Sequence, residues 1–135
     1  MMTLSDSFKT RSFRKGETLL EEGELHDDVF LIVKGKVEVR KGLRDDFPYV
    51  FGIKGAGDII GEMAAFDNQP HMASVIALED TIVTVMSRDE FQRRLSAMDP
   101  IVRGAILAVV RRAREMAELL VEKKKSTLIG ARRKK

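Results

Sequence analysis

Residues 57–75 read G-D-I-I-G-E-M-A-A-F-D-N-Q-P-H-M-A-S-V, and they hold residue types suited to gripping a small anion. Gly61 lets a backbone approach a ligand closely. The apolar turn that follows, residues 63–66, opens with free N–H groups, and a helix start favours negative charge. His71, where a polar loop returns to a strand, brings a ring that is cationic only below about pH 6.5. Strand, glycine, one-turn helix, loop, strand is the order of elements this chemistry needs.

Covalent chemistry finds little support. The chain has no cysteine, which removes thiol nucleophiles, disulfides and thiolate metal sites. Its two histidines, His26 and His71, lie forty-five residues apart in turns, and Asp27-Asp28 and Asp45-Asp46 are loop acids without partners of catalytic or metal-ligand spacing. The chain reads as a non-enzyme.

The elements that must position the anion-gripping residues are short strands. Leu19-Leu20 precede the turn Glu22-Gly23-Glu24. Residues 29–33 are an apolar run, residues 36–40 alternate as a half-buried strand does, and residues 49–53, 74–77 and 81–86 complete the series. Residues 41–48 read as an exposed hairpin loop, and Gly16, Gly23, Gly35 and Gly57 as turn glycines. Many short strands with regular turn signals point to an antiparallel barrel or sandwich. Residues 1–10 read as a leader or short helix. After the strands, Ser87 and Glu90 form a capping box for a short helix that turns Phe91 and Leu95 inward. Asp99 and Pro100 open a second helix, expected to about residue 124. On it Val102, Ile106, Val109, Ala113, Met116 and Leu120 recur at spacings of four and three, a coiled-coil-like seam that Val110, Ala117 and Val121 widen. The division is a body at 1–99, a long helix at 100–124 and a basic, disordered tail at 125–135.

Charge follows that division. The net +3 combines +8 over residues 100–135 with −5 over the rest. The acidic body is a poor nucleic-acid surface; only the basic tail could touch DNA, lipid or an acidic protein. No signal-peptide core is present, and no apolar stretch approaches the about 20 residues of a membrane span. The expected location is the cytoplasm.

Four motifs carry a resemblance. They are F-R-K-G-E-T-L-L-E-E-G-E at 13–24, V-F-L-I-V-K-G-K-V-E-V at 29–39, the stretch containing Gly57-Asp58 and Gly61-Glu62, and Asp89-Glu90-Phe91. Together they resemble the cyclic nucleotide-binding domain family, over about residues 13–95 and on into the next helix. The resemblance implies a mainly β fold, an eight-stranded jelly-roll barrel with flanking helices and a long C-terminal helix. It implies a regulatory sensor for cyclic AMP, cyclic GMP or a related small anion, with no other cofactor. Gly61 and Ala64 would offer N–H groups to the phosphate, with Met63 beside them, and Glu62 would accept from the ribose 2′-OH. The strand at 29–33 and the segment around Gly61 would supply apolar walls.

His71 stands where that family's phosphate-clamping arginine is expected, and Met72 where it often has Ser or Thr. Ser74, two residues on, could partly replace the hydroxyl. Losing one charge-assisted hydrogen bond costs roughly 1.5–3 kcal/mol, or about one to two orders of magnitude in affinity. Weak binding at neutral pH is therefore expected, unless His71 is protonated or a cation such as Arg103, Arg111, Arg112 or Arg114 reaches in. The long helix would carry the signal and pair two copies into a homodimer, with a partner protein acted on in trans. The barrel resembles the sensor half of bacterial catabolite-activator-type regulators, without a DNA-reading module. The alternative is a degenerate barrel that serves as a dimerisation or interaction module without ligand.

Overall fold

In the computed structural model, which describes residues 9–25, 28–42 and 46–133, eight strands form two four-stranded antiparallel sheets. One runs β1-β8-β3-β6, from Lys9–Phe13 (β1), Thr81–Met86 (β8), Val29–Lys34 (β3) and Ile59–Ile60 (β6). The other runs β2-β7-β4-β5, from Thr18–Leu20 (β2), Ser74–Ala77 (β7), Lys36–Lys41 (β4) and Tyr49–Gly55 (β5). This is the expected jelly-roll sandwich. Its core forms where the inward positions of both sheets meet, with Phe30, Ile32, Val37 and Val83 wholly enclosed. The β3–β4 turn depends on Gly35. At φ +106° it sits where a Cβ would lie 2.4 Å from Thr81 Oγ1 and 2.7 Å from Asp80 O, so no side chain fits.

Three helices complete the described chain: Glu62–Asp67 (α1), Arg88–Ser96 (α2) and Pro100–Arg133 (α3). Ser87 Oγ accepts from Glu90 N at 3.3 Å, as the capping motif requires. Phe91 meets Phe66 of α1 edge-on, with ring centroids 5.0 Å apart, and Leu95 is buried. Asp99 Oδ1 accepts from Ile101 N at 2.9 Å and Val102 N at 3.3 Å, capping α3.

Two expectations change. Lys9 and Thr10 lie in strand β1, not in a leader or helix; residues 1–8 fall outside the described part, as do His26, Asp27 and Asp45. Residues 125–133 are not a disordered tail, because α3 runs on to Arg133; Lys134 and Lys135 are outside the described residues. Lysine, arginine, leucine and alanine are good helix formers, and extending an existing helix is far easier than starting one. The apolar stripe of α3 is also split. Val110, Ala117 and Val121 are buried, whereas Val102, Val109, Met116 and Leu120 are exposed. Among the described residues no helix is long and apolar enough to cross a membrane.

Candidate functional site

Between the second sheet, α1 and α3 lies a cavity of about 300 Å³. Its sheet wall comes from Leu20, Val39, Phe51 and Val75. Val39 and Val75 are direct cross-strand partners, so both point to the same face. Ile59 to Ala64 form a second wall, His71 to Ala73 a third, and Ala113, Arg114 and Ala117 of α3 cover it. The strand at 29–33, expected as a wall, is not among the lining residues. Phe30 and Ile32 of β3 are spent on the core instead, and Val33 faces solvent.

Each residue is held by local backbone geometry. Gly61 caps α1 at φ +84°, with its Cβ position 2.9 Å from Asp28 O. Only glycine permits both that dihedral and that approach. Asn68 ends α1 in the left-handed region, its N–H donating to Ala64 O. His71 is pinned by its main chain: its N–H donates to Glu24 O, and its carbonyl accepts from Gly23 N, both at 2.9 Å. Its side chain is buried. Met72 also lines the cavity, and its carbonyl accepts from Lys41 Nζ at 3.1 Å.

The electrostatics centre on Glu62. Burial raises its pKa above the ordinary carboxylate value, and its own backbone N–H and the nearby Lys54 ammonium oppose that only in part. Besides Lys54, Arg114 is a further charged contributor. Its Nε and Nη2 grip both oxygens of Asp67, at the end of α1, with Nη2 3.0 Å from Oδ1. Its Nη1 donates to Pro70 O at 3.0 Å. The two charged side chains are only 15 % and 16 % exposed. A two-pronged guanidinium–carboxylate pair at that burial is strong and directional.

Six of the seven residues singled out from sequence, Gly61, Glu62, Met63, Ala64, His71 and Met72, therefore surround one cavity. Ser74 does not join them. It is buried behind the wall, and its Oγ accepts from Glu22 N at 3.0 Å. Sequence reasoning missed Leu20, Val39, Phe51 and Lys54; the alternation in residues 36–40 was a signal for Val39. It named Arg114 only as one of four helix arginines.

The model of the cyclic nucleotide-binding domain matches residues 10–97, which is the barrel with α1 and α2. The chain belongs to the cyclic nucleotide-binding domain family. A Pycsar effector protein, XpPycTIR of Xanthomonas perforans, is 36% identical over 109 residues, covering 78% of this chain and 33% of that protein. A cAMP-dependent protein kinase regulatory subunit from Mycosarcoma maydis is 35% identical over 100 residues, covering 70% and 19%. This family member thus spans a third or less of the length of those two relatives. Among solved structures, the EAL enzyme Bd1971 in its cAMP-bound form superposes with a TM-score of 0.74 at 28% identity, covering 88% of this chain and 32% of that one. Its cGMP-bound form gives 0.73 at 31% identity, covering 78% and 28%.

Proposed function

We propose that this domain is a non-enzymatic regulatory module that binds a cyclic nucleotide, cyclic AMP or cyclic GMP, weakly at neutral pH and signals through α3. The observation that carries the reading is the shared cavity of Gly61, Glu62, Ala64 and His71 beneath α3. Its volume lies at the lower end of the range for small-molecule sites, and its walls are mostly apolar with a few polar groups, as such sites are. In this reading the phosphate meets the N–H groups of Gly61 and Ala64 and the ring of His71. The ribose hydroxyl meets Glu62. The base lies against the apolar wall under α3, so binding and helix position are coupled.

Weakness follows from His71. The neutral ring supplies no permanent charge against an anion that also sits near Glu62. Calorimetric titration with cyclic AMP and cyclic GMP at pH 6 and pH 8 tests this. His71→Arg is expected to tighten binding at pH 8 by about 10- to 100-fold, the worth of one charge-assisted hydrogen bond. Tight wild-type binding at pH 8 contradicts the weak-binding reading. No binding by either protein at either pH removes the ligand altogether.

A second reading is favoured by the exposed side chains Val109 and Met116 on α3. It makes the barrel a ligand-independent dimerisation or interaction module. The two readings share a homodimer through α3 and a partner acted on in trans. They part on whether cyclic nucleotide raises the melting temperature, since only a binder of the folded state gains stability from it.

A further inference from the structure

We infer that Arg114 is the phosphate cation of this site, supplied by α3 in place of the arginine missing at position 71 and held in reserve by Asp67. The inference rests on the cyclic-nucleotide reading above and deepens it.

Arg114 lines the same cavity as Gly61, Ala64 and His71. Its Nη1 already bonds the carbonyl of Pro70, the residue before His71. The guanidinium is thus anchored one residue from the position where a phosphate-binding cation is absent. Arg103, Arg111 and Arg112 do not line the cavity. Arginine also has the right chemistry: a planar fork of permanent charge that grips carboxylate and phosphate with the same geometry.

Asp67 presents that fork with both carboxylate oxygens. A cyclic phosphate, with two exocyclic oxygens sharing one negative charge, can exchange for it. Such an exchange has a cost, because the pair must open before the ligand gains the cation. The apparent affinity is lowered by the fraction of time the pair stays closed. The weak binding proposed for this domain then has two sources, the histidine at 71 and the competing carboxylate at 67. The exchange also bears on α3, since Arg114 ties that helix to Asp67 at the end of α1.

Calorimetric titration of cyclic AMP and cyclic GMP into four proteins tests the role: the unaltered chain, Arg114→Gln, Asp67→Asn and His71→Arg/Arg114→Gln, with His71→Arg as reference. Arg114→Gln is expected to weaken binding at least about tenfold, the scale of one charged hydrogen bond. Asp67→Asn keeps an oxygen for the Gln69 N–H that Asp67 Oδ1 now accepts but releases the arginine, and is expected to tighten binding several-fold. That gain is diagnostic, because a merely structural Asp67–Arg114 pair predicts loss or no change. In the His71→Arg background, Arg114→Gln is expected to cost less than it does alone. Binding by the unaltered chain that Arg114→Gln leaves intact, or that Asp67→Asn weakens, overturns the role of Arg114 and leaves the cyclic-nucleotide reading standing. Absence of binding in the unaltered chain, Asp67→Asn and His71→Arg alike overturns both.

Discussion

Charging Glu62 costs the folded chain stability, because burial disfavours the ionised carboxyl. Burial sets its pKa above the ordinary 4.5, so the folded chain holds that proton more tightly than the unfolded chain does. The stabilisation this group contributes is therefore fully present below pH 4.5 and is lost as pH rises through its raised value. Glu62→Gln is expected to raise the melting temperature at pH 7.5, by a margin that shrinks as pH falls toward 4.5. Thermal unfolding of both proteins across that range checks it; a margin independent of pH would rule out the charge as its cause. A carboxylate kept where it opposes folding is the sort of group a ligand would have to justify. Gly61 was legible from the order strand, glycine, helix, whereas Glu62 and His71 were legible through the resemblance of the surrounding motif to the cyclic nucleotide-binding family. Ser74 was misplaced for a physical reason. Alternation puts residues two apart on one face only within a strand, and β7 begins at Ser74, so Met72 lies before it. The Asp67–Arg114 grip was not legible either, since it joins residues far apart in sequence that no local spacing relates.

At the scale of elements, the starts of α2 and α3 were readable to the residue, whereas α1 begins at Glu62, one residue before the expected turn, and the end of α3 was not readable. Asp99 caps α3 with its side chain and accepts the first helical bond, from Arg103 N, with its carbonyl. Asp99→Ala is expected to destabilise the protein by about 1 kcal/mol, the usual worth of such a cap, measured as a shift in the urea midpoint. An unchanged midpoint would mean that tertiary contacts alone fix where α3 begins. The far end lacks any such signal: nothing in K-K-K-S-T-L-I-G-A-R-R stops a helix outright, and a basic run with few apolar residues reads alike from sequence whether it is helical or not. Strand β1 escaped notice because it is an edge strand whose residues are exposed except Phe13. Polar, charged side chains suit an edge, and they erase the alternation that betrays a buried strand.

At the scale of the molecule, α3 has two apolar faces and only one is covered. Val110, Ala117 and Val121 are buried, while Val109 and Met116 are 59% and 65% exposed. Light scattering is expected to give a dimer mass for the unaltered chain and a monomer mass for Val109→Glu and Met116→Glu. Exposed substitutions of that kind cost little in the folded monomer. A monomer at high concentration, indifferent to either change, would speak against pairing through this face. A second attachment of α3 has a mechanical side. Lys124 donates to Pro48 O at 2.9 Å and lies over the Tyr49 ring, about 15 Å along the helix from Arg114 at 1.5 Å per residue. Beyond Lys124 the helix continues to Arg133, a further roughly 14 Å. Ala117 and Val121, both buried, lie between the two attachments, so the helix is clamped along this span, and a sideways push on its far end is shared among those contacts before it reaches the Asp67 grip.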